Sequence, residues 1–228
     1  MNAKQCLIGI DFGKPMCASP SLVEMLDHIG GDIDTEISLL LQKAYENKGV
    51  TFLTSACVSQ ITSDGLTYRK ENAEYELKAD KMLLAAGRTP IVDSIGLDAA
   101  GVEIHEFGID TDEHMCTNVP NLYAAGDVTG KSMLAHTAYR EAEVAVNHML
   151  EKPDRMRYYT VPSVIYTNPE VASVGYTKAA AEERGHQVRE VKIPLQYSGR
   201  YVAEVENGNG VCKLIVDTQF NRLLGVHL

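Results

Sequence analysis

Val119-Pro-Asn-Leu-Tyr-Ala-Ala-Gly-Asp-Val-Thr-Gly130, followed directly by Lys131-Ser-Met-Leu-Ala-His136, decides how this chain is read. The apolar run from Leu122 to Ala125 predicts a short buried strand. Gly126-Asp127 predicts a tight turn, and the residues after Gly130 a polar loop entering a helix. A strand that ends in Gly-Asp sets one carboxylate at the carboxyl edge of a sheet with backbone room beside it, which is where open α/β sheets bind ligands. The following helix aims its free N–H groups and the positive end of its dipole at the same place. Such a corner suits a polyhydroxylated, electron-rich ligand: Asp127 accepts hydroxyl hydrogen bonds and the helix N-terminus receives developing negative charge. Gly-Asp alone would fit any strand-turn-helix with an acid at the turn. Tyr123 and the Met-Leu-Ala-His continuation make the block more specific.

Working outward, 228 residues suffice for one or two domains with their own cores. A hydrophobic content of 45% with 23% charged residues is that of an ordinary globular protein, so no disordered or fibrous class is indicated. The net charge of −10 argues against nucleic acid or an anionic membrane as partner and leaves a solvated acidic surface. No apolar run approaches the roughly 20 residues of a membrane span. Residues 1–10 hold too short an apolar stretch for a signal peptide, so a cytoplasmic location is expected. The five cysteines, Cys6, Cys17, Cys57, Cys116 and Cys212, are odd in number and far apart. Their spacing fits neither a disulfide framework, a zinc site nor a dithiol centre, and most are expected as small buried thiols.

The clearest helix covers residues 34–48. Ile37, Leu40, Leu41, Ala44 and Tyr45 share one face, with Asp34 as N-cap and Gly49 as stop. Before it, residues 21–26 read as a strand that carries the acid Glu24. After it come short strands at 50–53, 58–61, 65–69 and 75–77, then a buried strand at 81–86 that closes on Gly87-Arg88-Thr89-Pro90. Residues 91–118 read as a connector with a candidate strand pair. The helix after His136 continues through Ala138, Ala142, Ala145, Val146 and Met149 as a small apolar face, and Lys152-Pro153-Asp154 is a break. The remainder predicts strands at 162–167, 171–176 and 188–193, a helix at 177–184 between Thr177 and Gly185, and a hairpin of 211–216 with 223–228 around Asp217-Thr-Gln-Phe-Asn221.

The opening block resembles the second flavin-binding motif of the pyridine nucleotide–disulfide oxidoreductases, the family of dihydrolipoamide dehydrogenase, glutathione reductase and mercuric reductase. The resemblance implies an α/β fold in three pieces: a partial NAD-binding, Rossmann-like domain (1–90), the C-terminal segment of an FAD-binding domain (91–152), and a partial α+β dimerisation domain (155–228). It implies that Asp127, on the Gly126 turn, holds the flavin ribitol, and that Ala135 presents backbone to the isoalloxazine ring. Glu24 stands where the acid ending the second strand of a Rossmann unit accepts the ribose hydroxyls. A carboxylate there repels a 2′-phosphate and favours NAD, and Met25-Leu26-Asp27 adds no basic side chain. Val58 matches a backbone contact to adenine, and Ala85-Ala86-Gly87-Arg88 matches the turn beside the dinucleotide. Of the three glycines of Gly-x-Gly-x-x-Gly only Gly9 is kept; Lys4 and Cys6 occupy the other two positions, where backbone must approach a pyrophosphate. Asp11 stands where the family has a Glu near the nicotinamide. Pro15 and Pro20 interrupt the helix expected next, and the spacing to Glu24 is short of the usual roughly 20 residues. NAD affinity is therefore expected to be weak or absent.

Val161-Pro-Ser-Val-Ile-Tyr-Thr-Asn-Pro-Glu-Val-Ala-Ser-Val-Gly175 and Ser198-Gly-Arg-Tyr-Val-Ala-Glu204 look most like dihydrolipoamide dehydrogenase, and mercuric reductases share part of them. The resemblance spans residues 5–12 and 21–228 and corresponds to the later half of a family chain. The N-terminal flavin domain, the dithiol pair and the terminal His-Glu acid/base pair have no counterpart in these residues. His227 reads as a core or edge residue of a strand. The implied cofactors are FAD and NAD, both with incomplete sites, and no catalytic or metal-ligating residue is assigned. The implied function is a dihydrolipoamide dehydrogenase-type oxidoreductase, inactive on these residues alone. The alternatives are a non-catalytic folded remnant, a subunit of a split flavoprotein completed by a complementary chain, and a mercuric or glutathione reductase-like relative. A homo-oligomer through residues 155–228 is the expected association.

Overall fold

The Asp34 carboxylate starts the helix of the first half by accepting the backbone N–H groups of Glu36 (3.0 Å) and Ile37 (3.3 Å), as an N-cap does. Helix α1 runs Thr35–Glu46, as its periodicity predicts. Ile37 and Leu41 are buried, whereas Leu40, expected beside them, is exposed. The inward place is taken by Ser38, whose hydroxyl donates to the Ile29 carbonyl at 2.7 Å. The structure is a computed structural model that describes residues 20–93 and 95–228, and residues 6–9 as backbone alone. Lys4, Asp11, Pro15, Cys17 and the Cys6 side chain lie outside the described residues. The chain divides into two units, Met1–Gly87 with Pro162–Leu228, and Arg88–Val161.

In the first unit, β1 (Cys6–Gly9), β2 (Ser21–Glu24), β3 (Thr51–Leu53) and β7 (Leu83–Leu84) form a sheet of order β3-β2-β1-β7, and β4 (Cys57–Ile61), β5 (Gly65–Lys70) and β6 (Ala73–Lys78) form an antiparallel meander. β2 and β3 are parallel and joined through α1. β1 corrects the Rossmann expectation: it runs antiparallel to β2, with Cys6 opposite Glu24 and Gly9 opposite Ser21, and antiparallel to β7. Residues 10–20 that join β1 to β2 are fewer than the dozen or more a parallel crossover needs, and two prolines stand within them. The core between sheet and meander is Val23, Ala56, Leu66 and Tyr68, with Leu53, Val58, Leu77 and Met82 against it. The strand expected at 81–86 shrinks to Leu83–Leu84, and both leucines are exposed because β7 is the edge of its sheet.

The second unit holds α2 (Leu97–Ala100), the small hairpin of β8 (Ile104–His105) and β9 (Gly108–Ile109), and α3 (Ala135–Met149). The strand expected from Leu122 to Ala125 reduces to one bridge, Tyr123 with Cys116. Leu122 N–H instead turns back to the Val119 carbonyl at 3.1 Å, so the run enters as a turn. α3 also differs from its sequence reading. Thr137, Glu141, Val144 and Ala145 are buried, and Ala142, Val146 and Met149 are exposed. Val144 and Ala145 pack with Met115 and Met156.

The chain then returns to the first unit with β10 (Ser163–Ile165), β11 (Val171–Gly175), α4 (Lys178–Glu183), β12 (Val188–Pro194), α5 (Gly199–Glu204), β13 (Val211–Asp217) and β14 (Arg222–His227). The strands build an antiparallel sheet of order β10-β11-β14-β13-β12. Thr177 caps α4 and Asp217 closes the β13–β14 turn by accepting from Gln219 and Phe220 N–H. α5 was not anticipated; Ser198, which caps it, is its one local signal. His227 is buried in β14 and meets the Tyr176 carbonyl through Nε2 at 3.1 Å. Cys57 is exposed and Cys116 and Cys212 are half-buried, so the expectation of buried thiols fails for these three.

α1 lies on one face of this sheet, with Ile29, Ile37 and Leu41 against Val171, Ile165 and Val211. At the polar end of the contact Lys213 is buried, its side chain 5% exposed, with Nζ 2.8 Å from both Asp34 oxygens, 3.1 Å from Glu36 and 3.3 Å from Glu190. Burial pushes the Asp34 carboxyl up, but hydrogen bonds from Lys213 and from Ile37 N–H outweigh it and hold it below 3.8. Lys192, 2.7 Å away, and Lys213 hold Glu36 below 4.5. Burial pushes the Lys213 ammonium down, and the hydrogen bonds to Asp34 and Glu36 more than reverse this.

Lys213→Met leaves the Asp34 carboxylate buried without a cation and is expected to cost about 3–5 kcal/mol in urea unfolding. Because Asp34 and Glu36 titrate lower in the folded chain, their contribution is present above the ordinary values of 3.8 and 4.5 and is lost as pH falls below them. Unfolding midpoints followed from neutral pH into acid should therefore fall in the wild type, with a weaker or reversed trend in the variant. An equal acid slope in both proteins would refute the assignment.

Candidate functional site

Gly126 sits at φ +86°, ψ −162° and starts a single 3-10 turn, Asp127–Thr129, that Gly130 closes at φ +67°. Both angles lie where an L side chain is strained. Thr129 is buried and returns its N–H and its hydroxyl to the Gly126 carbonyl, each at 3.0 Å. The Asp127 carboxylate is exposed. A Cβ on Gly126 would meet only the Ala138 methyl of α3, at 3.5 Å, whereas a Cβ on Gly130 would stand 1.5 Å from the Phe107 carbonyl oxygen. The β8–β9 hairpin thus packs backbone to backbone on the turn.

α3 begins at Ala135, which is exposed, and Leu134 gives it no side-chain cap. The first helical hydrogen bond is Ala138 N–H to the Leu134 carbonyl at 3.0 Å. Gly126 lies against this first turn, where its Cα faces the Ala138 methyl. From the next turn Glu141, 0% exposed, reaches back. One of its oxygens accepts the Gly126 N–H at 2.5 Å and the other the Tyr158 hydroxyl at 2.7 Å. Burial, then the hydrogen bond to Glu141, pushes the Tyr158 phenol well above its usual value of 10.0 and keeps it a donor. Lys131 donates to the Thr111 carbonyl and, at 2.9 Å, to its hydroxyl. After the helix, Asp154 accepts from Arg140 and, at 2.8 Å, from Asn147, and the guanidinium holds its carboxyl well below the usual range. Glu141 and Tyr158 were not picked out from the sequence. A charge inside the Thr137–Glu141–Val144–Ala145 stripe is the signal that marks the first of them.

The nucleotide-type residues are placed differently. Glu24 ends β2 and is 7% exposed; its carboxylate accepts the Leu26 N–H at 3.0 Å and its carbonyl the Ala56 N–H at 2.9 Å. Val58 lies in β4 against the first core cluster. Ala85 and Gly87 are exposed beyond β7, Ala86 is half-buried, and Gly87 has φ +102°. Gly9 is the last residue of β1. These belong to the first unit, whereas Arg88, Gly126, Asp127 and Ala135 belong to the second. Among the described residues no group of three or more His, Cys, Asp or Glu side chains could hold a metal ion, and no helix is long and apolar enough to cross a membrane.

Residues 8–142 match the profile of the pyridine nucleotide-disulphide oxidoreductases, and residues 161–228 match that family's dimerisation domain. The chain belongs to the pyridine nucleotide-disulphide oxidoreductase family. Among its relatives are the mitochondrial dihydrolipoyl dehydrogenase of Pisum sativum, 35% identical over 97% of this chain and 46% of the relative, and the dihydrolipoyl dehydrogenase of Chlamydia muridarum, 36% identical over 97% and 48%. The chain spans about half the length of the curated relatives it matches. Among solved structures, the HOCl-induced flavoprotein disulfide reductase RclA of Escherichia coli superposes with a TM-score of 0.75 at 25% identity, over 91% of this chain and 48% of that one. LpdA of Mycobacterium tuberculosis, at 23% identity and a TM-score of 0.78 over 91% and 46%, shows the same fold.

The two glycines of this turn should differ in tolerance. Gly126→Ala is expected to cost about 1–2 kcal/mol, the strain of its positive φ. Gly130→Ala must also displace the Phe107 backbone and is expected to cost more than about 3 kcal/mol. Denaturant titration of both variants checks the order.

Proposed function

We propose that these residues supply the ribitol and ring side of a flavin site in a dihydrolipoamide dehydrogenase-type oxidoreductase. The whole reaction of such an enzyme passes electrons from dihydrolipoamide through a dithiol and FAD to NAD. The observation that carries the reading is the exposed Asp127 carboxylate on the Gly126 turn beside the side-chain-uncapped start of α3. Gly126 lets the turn pack on the Ala138 methyl, and Ala135 puts no large side chain at the helix start, which supports a polyol joined to a flat ring as the ligand. Asp127 accepts the polyol hydroxyls, and the dipole of α3 favours negative charge on the ring edge. Bound there, FAD supplies hydride acceptance and donation.

NAD does not fit the described nucleotide half. The Glu24 carboxylate is buried with one oxygen accepting from its own turn, and β1 runs antiparallel to β2, where a Rossmann unit has parallel strands. No step is assigned to NAD here. The 228 residues also contain no closely spaced cysteine pair, so the dithiol step falls to protein outside them. The reading has this chain serving as part of a flavoprotein, associating through residues 155–228 with a second copy or with a complementary chain. We place residues 1–90, 91–152 and 155–228 as its NAD-type, FAD-type and dimerisation pieces.

Riboflavin carries the parts of FAD that this corner would serve, so it is the probe. Fluorescence titration of the purified chain should give saturable binding that Asp127→Asn weakens about tenfold, the loss of one charge-assisted hydrogen bond. FAD should bind no more than about threefold tighter than riboflavin, since its adenosine and pyrophosphate find no partner. The purified protein should be close to colourless, show no saturable NADH binding, and not reduce NAD with dihydrolipoamide. Flavin at unit stoichiometry after purification would overturn the partial-site reading.

A further inference from the structure

Glu141 is the fully buried carboxylate of α3, yet among the described residues its side chain serves neither the helix it belongs to nor an ion pair. A buried carboxylate is tolerated where donors satisfy it, and here the donors are one backbone amide and one phenol. The amide is that of Gly126, whose positive φ is a conformation a free chain would leave readily. The bond is charge-assisted and short, 2.5 Å, and it joins the second turn of α3 to the residue before Asp127. The carbonyl of the same residue, in the next peptide unit, accepts from the N–H and the hydroxyl of Thr129. With both its amide and its carbonyl held, Gly126 cannot rotate, and the direction in which the chain presents Asp127 is fixed relative to the start of α3.

We infer that Glu141 is a positioning residue: it clamps the Gly126 amide so that the Asp127 carboxylate and the first turn of α3 keep the spacing a ribitol-bearing ring requires. This rests on the flavin reading above and deepens it. Tyr158 has a separate part. Its hydroxyl fills the second oxygen of Glu141 and also meets the Thr129 side chain, and its ring joins the Met115, Val144 and Met156 cluster, so it anchors the clamp from the core side.

The two roles separate by substitution. Glu141→Leu keeps the volume and removes the acceptor; Glu141→Gln keeps an oxygen within reach of Gly126; Tyr158→Phe leaves the Gly126 bond in place and removes the phenol's bonds to Glu141, Thr129 and the Met115 sulfur. Riboflavin affinity is titrated well below each variant's melting temperature, with folding checked by circular dichroism and the Gly126 amide followed by nitrogen-15 NMR. The expected result is a loss of affinity of tenfold or more in Glu141→Leu with an upfield shift of the Gly126 amide proton. Glu141→Gln should recover most of the affinity, and Tyr158→Phe should melt earlier while binding within about twofold of wild type. If wild type binds riboflavin and Glu141→Leu binds it equally well, the clamp is overturned and the flavin reading stands. If all variants lose affinity only in proportion to lost stability, Glu141 is a packing residue and the inference fails. If folded wild type shows no saturable riboflavin binding, the flavin reading fails and takes the inference with it.

Discussion

The salt link from Lys213 to Asp34 ties together parts of the chain 179 residues apart. An ammonium taken out of water costs several kcal/mol unless its partners are close and well aimed. Here Asp34 meets it with both oxygens, and Glu36 and Glu190 complete its surroundings. Asp34 does two jobs at once, because the carboxylate that anchors Lys213 also caps α1. The helix therefore cannot slide along the sheet of residues 163–227 without losing its own N-terminal hydrogen bonds. The apolar contact of Ile37 and Leu41 with Val171 is non-directional; the ion pair gives it a register.

The second unit uses a buried acid in another way. Glu141 turns its oxygens to a backbone amide and a phenol and pairs with no cation among the described residues. Lys213 fixes where a helix lies, whereas Glu141 fixes how a turn points. Both acids sit within a helix or at its start, where the backbone direction is set, and both bond to partners distant in sequence. This is why α3 turns Thr137, Glu141 and Val144 inward and leaves Ala142, Val146 and Met149 to solvent.

Local signals in the sequence were reliable where the physics is local. Asp34 and Thr177 cap the helices they were expected to cap, and the strands of residues 163–227 fall where alternation and turn residues put them. The Gly126-Asp127 turn was legible because a positive φ needs glycine. What the sequence did not reveal depends on partners far along the chain. The direction of β1 is a pairing choice, and Leu122 to Ala125 is apolar enough for a strand but pairs only with the short stretch from Met115 to Thr117. The triple Leu39-Leu40-Leu41 cannot say which leucine faces in. Glu24 stood at the right place for a ribose-binding acid, and only the structure shows it buried with one oxygen accepting from Leu26.

The close approach at Gly130 has a consequence for how the candidate corner opens. The Phe107 carbonyl stands so near that not even a methyl group would fit between hairpin and turn. Two backbones in such contact cannot loosen independently: to free one, the other must leave as well. The segment around residues 104–109 and the turn at 126–130 then behave as a single cooperative unit in local unfolding. The carboxylate that faces solvent is thereby carried on one of the less yielding stretches of its unit, although it looks from its exposure like a surface loop.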